Sequence, residues 1–429
     1  MTWSNWAGNQ TMTPARVVRP TSVDELSAAV KQAAADDLRV KPIGSGHSFT
    51  AIGLTDGVQV DMSGLDRLVS VDTTTNQVTA QAGLPLHRLN AALHEHGLGL
   101  TNMGDIDRQT VSGAVSTGTH GTGRESAGFA MQVAALELVL ADGSQVSCSP
   151  TERPELFTLA RVGLGALGVL SSVTFQAEPA FLLQADERPM PLADVLDGFE
   201  EHVAANEHFE FYWFPHTDLA LTKRNNRTTD AAPLSRFRKA YDDELLSNGL
   251  FRLTCGLGAL APSVIPRVNR IAARALSART YADRAPHVYT SPRRVRFCEM
   301  EYAIPRSELP AVFRELRTLP EKHGLRVSFP VEVRVAPADD VPLSTSFGRD
   351  SAYIAVHMFK GTSFDAYFAA VEKLVGEVGG RPHWGKLHTL TSEDLRQRYP
   401  RFDEFIAMRD QLDPQRRFGN AYLERVLGS

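Results

Sequence analysis

The run Gly44-Ser45-Gly46-His47-Ser48 follows a strand-like segment, Leu38–Ile43, and opens a glycine-rich loop. Its two glycines let the backbone bend sharply and point several N–H groups at one place, which suits a pyrophosphate. The loop lacks the GxGxxG fingerprint of nicotinamide dehydrogenases and the GK[ST] of a P-loop. By itself the run therefore fits two interpretations: a cofactor loop anchored at His47, or a loop with a hydrogen-bonding histidine.

Two further glycine-rich stretches run from Ser112 to Gly123 and from Gly163 to Leu170. Small side chains at this density allow the backbone to approach a flat polar ligand closely, and hydroxyl groups can donate to phosphates. Each stretch alone could be a tightly packed turn, but together with the first loop they favour a bound nucleotide. The candidate cofactor contacts are Gly44, Ser45, Gly46, His47, Ser48, Ser112, Gly113, Ser116, Thr117, Gly118, His120, Gly121, Gly168 and Val169.

Composition argues against several other classes of protein. The chain has 429 residues, and its net charge of −5 lacks the basic excess of a nucleic-acid binder. No run of about 18 apolar residues occurs, so no transmembrane segment is predicted, and the amino terminus lacks the pattern of a secretory signal. The three cysteines, Cys148, Cys255 and Cys298, are too sparse for a disulfide framework, so we expect free thiols and a cytoplasmic location.

Hydrophobic periodicity predicts an α+β fold with many short strands. Val58–Met62 alternates with period two, Leu86–His96 has one apolar helical face, and Val133–Leu140 is a buried strand that turns at Asp142-Gly143. Residues 246–279 are rich in arginine. They could form a membrane-surface or partner-docking helix, or a helical insertion with a solvated basic face; their prolines favour the insertion.

The second half of the chain carries further ionisable residues. Glu332 and Arg334 lie two apart on a strand-like run and project from the same face, so they could hold a substrate oxygen or form a surface salt bridge. His357 lies in an alternating strand and, taken alone, is more typical of a core histidine than of a catalytic one. The segment Arg381–Lys386 packs three ionisable groups and a tryptophan into a short run.

A metal site is not predicted. The sequence contains no HExxH motif and no compact His/Asp cluster, and His383 and His388 have no third ligand nearby.

Taken together, the motifs resemble the vanillyl-alcohol oxidase type of flavoprotein, in the branch of the sugar-1,4-lactone oxidases (gulonolactone and arabinonolactone oxidases) and alditol oxidases. The resemblance covers nearly the whole chain. It implies a two-domain FAD-binding fold, with an FAD domain at 1–177, an antiparallel-sheet cap domain at 178–379 and a segment, 380–429, that returns to the active site. The residues that carry it are Gly44–Ser48, Gly118–Gly123, Glu332–Arg334, Gly380–Lys386, Leu412–Pro414, Phe418, Asn420, Tyr422 and Leu423.

The resemblance also implies chemistry for individual residues. His47 would carry FAD through an 8α-histidyl bond, with His383 and Lys386 as further cofactor contacts. Glu332, Arg334, His357 and Lys386 would form the catalytic pocket, in which Arg334 and Lys386 stabilise a developing alkoxide while hydride passes to flavin N5. If Arg334 lowers the pKa of Lys386, the lysine could also accept the hydroxyl proton.

Two neighbouring residues bear on the acceptor and the substrate. By resemblance, Gly104 matches a position where related dehydrogenases carry an alanine that screens the flavin from oxygen. A glycine leaves this path open, so an oxidase that releases H2O2 is expected. Asp105 stands where alditol oxidase has a serine, which weakens the likeness to alditol oxidase. The segments Phe211–Thr217 and Pro330–Arg334 resemble gulonolactone oxidase more closely, so a sugar-1,4-lactone substrate (L-gulono- or D-arabinono-1,4-lactone-like) is placed before a sugar alcohol. The alternatives are an alditol oxidase, a lactone dehydrogenase with another acceptor, and a non-catalytic binding protein.

Overall fold

The computed structural model describes residues 2–234, 256, 258, 261–291 and 293–429. The strands are β1 Trp3–Ser4, β2 Thr11–Met12, β3 Arg16–Val18, β4 Val40–Ile43, β5 Val58–Asp61, β6 Leu68–Asp72, β7 Gln77–Gln81, β8 Leu98–Gly99, β9 Val133–Val139, β10 Gln145–Cys148, β11 Val169–Gln176, β12 Glu178–Pro179, β13 Leu182–Pro191, β14 His208–Trp213, β15 Leu219–Thr228, β16 Arg279–Arg284, β17 Phe297–Pro305, β18 Val331–Ala336, β19 Ser351–Phe359 and β20 Arg381–Pro382. The helices are α1 Val23–Ala35, α2 Leu86–Glu95, α3 Val111–Ser116, α4 Pro154–Ala160, α5 Leu192–Asp197, α6 Phe199–Ala204, α7 Ile265–Arg274, α8 Ala285–Tyr289, α9 Leu309–Leu316, α10 Leu319–Lys322, α11 Asp365–Gly376, α12 Ser392–Arg396, α13 Phe402–Leu412 and α14 Ala421–Leu427.

The amino-terminal part is built on two main sheets. One is parallel, in the order β3-β5-β4, and the other is antiparallel, in the order β10-β9-β11-β7-β6. Thr21 or Ser22, followed by the acidic Asp24 and Glu25, predicts the start of a helix. Helix α1 begins there, and the Ser22 hydroxyl accepts a hydrogen bond from the Glu25 backbone N–H. It buries Leu26, Val30 and Ala33, which lie on one face at helical spacing. The start and the buried face of α1 therefore follow from residues that are close together in the sequence.

The central feature of the second half is an eight-stranded sheet in the order β16-β13-β15-β14-β18-β19-β17-β20. Each of its neighbouring strand pairs is antiparallel, as predicted for the cap. Side chains alternate between the two faces of a strand. The apolar set, which includes Phe211, Val333 and Ile354, packs in one core with residues of α5, α6, α9 and α11. The intervening residues therefore face the other way, and there the sheet carries its charged groups.

The carboxy-terminal segment joins the two halves. Strand β20 pairs with β17 at the edge of the eight-stranded sheet. Beyond it, Trp384, Tyr399 and Phe405 are buried in the amino-terminal core. A side chain that follows β20 is therefore placed between the two cores. The domain boundaries at 177/178 and 379/380 stay predictions.

Several expectations concern residues outside these sheets. Within the described ranges, none of the helices is both long and apolar enough to cross a membrane. Cys148 and Cys298 are buried free thiols, while Cys255 is outside the described residues. Of the basic stretch 246–279, α7 is described and buries Ile265, Asn269 and Ala273; residues 246–255 are outside the described ranges.

Candidate active site

A cleft lies where the glycine-rich stretches meet. Gly44 approaches Thr110 so closely that a Cβ on the glycine would lie 2.1 Å from the threonine Oγ1, and Gly46 has a φ of +69°. The backbone can therefore line a narrow slot that side chains would fill. The predicted cofactor contacts that line it are Gly44, Ser45, Gly46, His47, Ser48, Ser112, Gly113, Ser116, Thr117 and Gly168. Gly118, His120, Gly121, Val169, His383 and Lys386 are not among the residues that line the cleft.

His47 is one of the residues that line this cleft. The imidazole stacks on Trp6, with the ring centroids 5.7 Å apart. Within the described part of the chain, no hydrogen bond to either ring nitrogen is found. Burial, with Lys386 and Arg108 nearby, lowers the pKa of His47 to about 4. At neutral pH the ring is therefore unprotonated, and one nitrogen keeps a lone pair for bonding.

Lys41 is a buried cation in the wall of the same cleft. Its Nζ donates to the Phe418 carbonyl at 3.0 Å and to the Gly165 carbonyl at 3.4 Å. Burial lowers its pKa to about 7, against an ordinary value of 10.5. These hydrogen bonds connect the carboxy-terminal segment to the cleft, while burial of the ammonium group is electrostatically unfavourable.

Protein stability is expected to rise with pH on account of Lys41. Between pH 7 and 10.5 the unfolded chain holds a proton that the folded lysine has lost, so raising the pH favours the folded state. We expect the melting temperature of the wild type minus that of Lys41→Met to be larger at pH 9.5 than at pH 7. The exposed Lys31→Met is the control, and an equal pH dependence in wild type and Lys41→Met would contradict the assignment.

The polar face of the eight-stranded sheet presents a row of buried charges. Glu299 on β17 lies opposite His357 on β19, and Glu332 on β18 lies opposite Tyr212 on β14. Glu332 also lies opposite Ala355, two residues from His357, so all four side chains project from one face. Glu299, Glu332 and His357 are each less than 10% exposed. Charges buried to this degree must be paired.

Lys386 reaches this face from the segment after β20. Its Nζ lies 2.5 Å from Glu299 Oε2 and 5.2 Å from the centre of the Phe49 ring, close to the His47 loop. Burial would lower the pKa of Lys386, but Glu299 and Glu301 outweigh it and raise the pKa above its ordinary value. The hypothesis that Arg334 lowers this pKa is therefore wrong, because carboxylates and not a guanidinium are its nearest charged neighbours.

Arg334 is the centre of what we call the arginine–carboxylate cluster. The cluster comprises Asp105, Glu210, Lys223, Arg293, Glu332 and Arg334. Arg334 contacts Glu332 directly, lies 3.2 Å from Asp105 and 3.4 Å from Glu210. Burial would raise the pKa of Asp105, but Arg334 and Arg293 hold it well below its usual range, whereas burial raises that of Glu332. The surface salt bridge considered for Glu332 and Arg334 is excluded.

His120, Glu301 and His383 form a compact cluster that the sequence did not reveal. Their potential ligand atoms lie within 4.8 Å of one another, so the expectation that His383 has no third ligand nearby is wrong. Several of these ligand atoms make other contacts: His120 lies 2.9 Å from the Gly121 carbonyl and 3.1 Å from Glu301, and His383 Nδ1 accepts from Gly385 N–H. Burial lowers the pKa of His383 to about 3. The absence of a bound metal stays a prediction.

Sequence reasoning missed several members of the site. Glu299 and Glu301 alternate with apolar residues on β17, and Glu210 does so on β14. Carboxylates at alternate positions of an otherwise apolar strand were a usable signal, since such a strand is buried on both faces. Arg293 had no such signal, because it lies outside the strands and meets Asp105 only through the fold.

Three features indicate the class of protein: the cleft, the His47 loop in its wall, and the charged face of the eight-stranded sheet. A model of an FAD-binding domain matches residues 14–149, which contain the first two glycine-rich stretches. Cholesterol oxidase from B. sterolicum has the same fold, with a TM-score of 0.84 at 19% identity over 99% of this chain and 96% of that one. The chain thus has an FAD-binding domain and an antiparallel cap sheet.

The family follows from the second half of the chain. The D-arabinono-1,4-lactone oxidase model matches residues 173–426, and the chain belongs to this family. L-gulono-1,4-lactone dehydrogenase of Mycobacterium tuberculosis is 44% identical over 99% of both chains. L-gulonolactone oxidase of Bos taurus is 35% identical over 99% of this chain and 98% of its own. The resemblance inferred from the motifs is confirmed.

Proposed function

We propose that this protein oxidises a sugar-1,4-lactone, of the L-gulono- or D-arabinono-1,4-lactone type, and passes the electrons to O2 with release of H2O2. The observation that carries the proposal is the contact of Lys386 with both sides of the site. It pairs with Glu299 on the cap sheet and lies over Phe49 beside the His47 loop. A cation in that place can meet a substrate oxygen next to a cofactor held in the cleft.

FAD fits the cleft, and we propose that it is bonded covalently to His47. Gly44, Gly46 and Gly113 line the slot, and a Cβ on them would lie 2.1, 2.8 and 3.1 Å, respectively, from Thr110, Trp3 and Thr110, which line it too. His47 offers an unprotonated ring nitrogen at neutral pH, which is the form that can bond to the flavin 8α-methyl carbon. When bound, FAD supplies a two-electron acceptor for the hydride of the substrate.

Lys386 is assigned the stabilisation of the substrate alkoxide. Loss of the hydroxyl proton leaves the carbinol oxygen with negative, alkoxide character, and this charge helps to expel the hydride from the same carbon. The raised pKa of Lys386 keeps it as an ammonium that donates to that oxygen. Arg334 is held rigidly by three carboxylates and provides further donors for substrate hydroxyls.

We propose that His357 accepts the proton of the substrate hydroxyl and that Glu299 stabilises the charge on the imidazole that results. The Nδ1 of His357 lies 3.2 Å from the Pro330 carbonyl and needs its hydrogen for that contact. The Nε2 is then the nitrogen that can take up a proton, and it lies 3.5 Å from Glu299 Oε1, which stabilises the charge that results. Glu299 also pairs with Lys386, so it connects the alkoxide-stabilising group with the proton-accepting group.

The lactone is placed before the sugar alcohol because the lactone oxidase model matches residues 173–426 and the relatives at 44% and 35% identity are named for a lactone. Alditol oxidase of Streptomyces sp. is 31% identical. The acceptor has one alternative. The 44% identical relative is named a dehydrogenase and the 35% identical one an oxidase, so a lactone dehydrogenase with another acceptor is the second candidate.

One experiment tests the reaction and its acceptor together. The flavin-loaded enzyme is mixed without oxygen with L-gulono-1,4-lactone, D-arabinono-1,4-lactone or xylitol, and flavin bleaching is followed. We expect the lactones to bleach the flavin and air to restore it with release of H2O2. Bleaching by xylitol alone would favour the alditol oxidase, and bleaching that only a dye acceptor reverses would favour the dehydrogenase.

Oxygen reactivity is expected to depend on Gly104. A Cβ at this position would lie 3.1 Å from Thr119 Cγ2 and 3.3 Å from the His120 carbonyl, and would close the space between the two loops. We expect Gly104→Ala to slow flavin reoxidation by O2 at least about tenfold, as an added methyl group blocks access, with flavin reduction unchanged. Gly99→Ala, whose Cβ has room, is the control. Equal reoxidation rates in stopped flow would remove Gly104 from the oxygen path.

A further inference from the structure

The arginine–carboxylate cluster is balanced in charge. Three cations, Lys223, Arg293 and Arg334, face three carboxylates, Asp105, Glu210 and Glu332. Each member makes at least one ion pair inside the cluster. None of these positive charges is therefore left over for an anion that enters the pocket.

Asp105 and Arg293 form the open side of this cluster. Their side chains are 21% and 32% exposed, against 6% for Glu332 and 8% for Arg334. Among the described residues, Asp105 is the only carboxylate that pairs directly with Arg293, and it also contacts Arg334. Because Asp105 contacts both guanidiniums, a ligand that bonds to either of them has the Asp105 carboxylate as a close neighbour.

We infer that Asp105, through Arg293 and Arg334, makes the pocket selective for a neutral ring and against the open-chain aldonate that a lactone forms on hydrolysis. This inference rests on the proposed lactone substrate. Hydrolysis adds water across the ring ester bond and leaves a carboxylate, so the two species differ by one negative charge. Hydroxyl groups of a neutral ring can bond to guanidinium N–H groups without displacing Asp105, whereas a carboxylate must compete with it.

The physical reason is repulsion between like charges in a partly buried site. Two carboxylates forced within about 4 Å of each other at a site of intermediate dielectric repel strongly enough to change affinity by tenfold or more. Selection of this kind is built from an unfavourable contact with the wrong ligand rather than from an extra contact with the right one.

The test is the Asp105→Asn variant, which removes one negative charge with little change of shape. Sodium D-gluconate, an open-chain aldonate, and D-glucitol, a neutral polyol of the same length, are titrated by calorimetry into the flavin-loaded enzyme. We expect gluconate to bind the variant at least about tenfold more tightly than the wild type, with D-glucitol changed far less. Wild type is expected to favour D-glucitol.

Two further variants separate local charge from other effects. Asp105→Asn combined with Arg293→Gln restores the balance and is expected to return gluconate affinity to the wild-type level. Asp66→Asn makes the same change in net charge at the surface ion pair with Arg88 and should leave gluconate binding unaltered.

The outcomes distinguish this inference from the proposed function. Gluconate that binds wild type and Asp105→Asn equally, or binds wild type as tightly as D-glucitol does, would overturn the charge selection. Failure of every lactone to bleach the wild-type flavin would overturn the proposed function instead. Flavin content and melting temperature, measured on each variant, establish that it is folded.

Discussion

Lys386→Met is expected to lower the rate of flavin reduction by substrate at least about a hundredfold while leaving the flavin bound. Removing one preorganised donor to a developing oxyanion typically costs this much or more. The methionine side chain fills the same space but cannot donate, and it leaves Glu299 without its closest cation. The measurement is anaerobic stopped flow with L-gulono-1,4-lactone at saturation, together with the visible spectrum of the resting enzyme.

The control for Lys386→Met is Lys373→Met, an exposed lysine on α11 of the same sheet domain. Lys386→Arg keeps the charge and is expected to fall between wild type and the methionine variant, because the guanidinium holds its donors in a fixed fork. Wild-type rates of flavin reduction in Lys386→Met would remove this residue from the chemistry and leave the proposed mechanism without its alkoxide stabiliser.

His47→Ala is expected to lose covalent flavin completely. A wild-type protein precipitated with acid should keep its yellow colour and its in-gel fluorescence, whereas the variant should release any flavin into the supernatant. The reason is that alanine has no nitrogen to bond to the 8α-methyl carbon. Peptide mass spectrometry of the wild type should place the flavin on the peptide that contains His47.

His120→Asn is the matched variant, because His120 lies in the second glycine-rich stretch. Its ring nitrogens lie 2.9 Å from the Gly121 carbonyl and 3.1 Å from Glu301, so neither is free to bond to a flavin. We expect His120→Asn to keep covalent flavin wherever it folds. Covalent flavin in His47→Ala, or its loss in His120→Asn alone, would move the attachment site away from His47.

Prediction from sequence succeeded where a feature depends on neighbouring residues. The amino-terminal cap of α1 at Ser22 follows from short-range hydrogen bonding, and the hairpin at Asp142-Gly143 follows from turn geometry. The shared face of Glu332 and Arg334 followed from the period of a strand.

The protonation of the site could not be predicted in this way. Lys386 was expected beside a guanidinium, but the fold places it against Glu299, which comes from a different strand. Burial and charge partners set a pKa, and both depend on residues far apart in the chain. For the same reason His383 acquires Glu301 and His120 as neighbours that no spacing in the sequence suggests.

The sequence by itself determined the glycine-rich loops, the candidate histidine and the family of this protein, since these depend on residue types at short spacing. Only the tertiary structure decided which charges meet. It placed a carboxylate beside the lysine and balanced Arg334 with three acids, because strand order and not sequence distance fixes which side chains share a buried face.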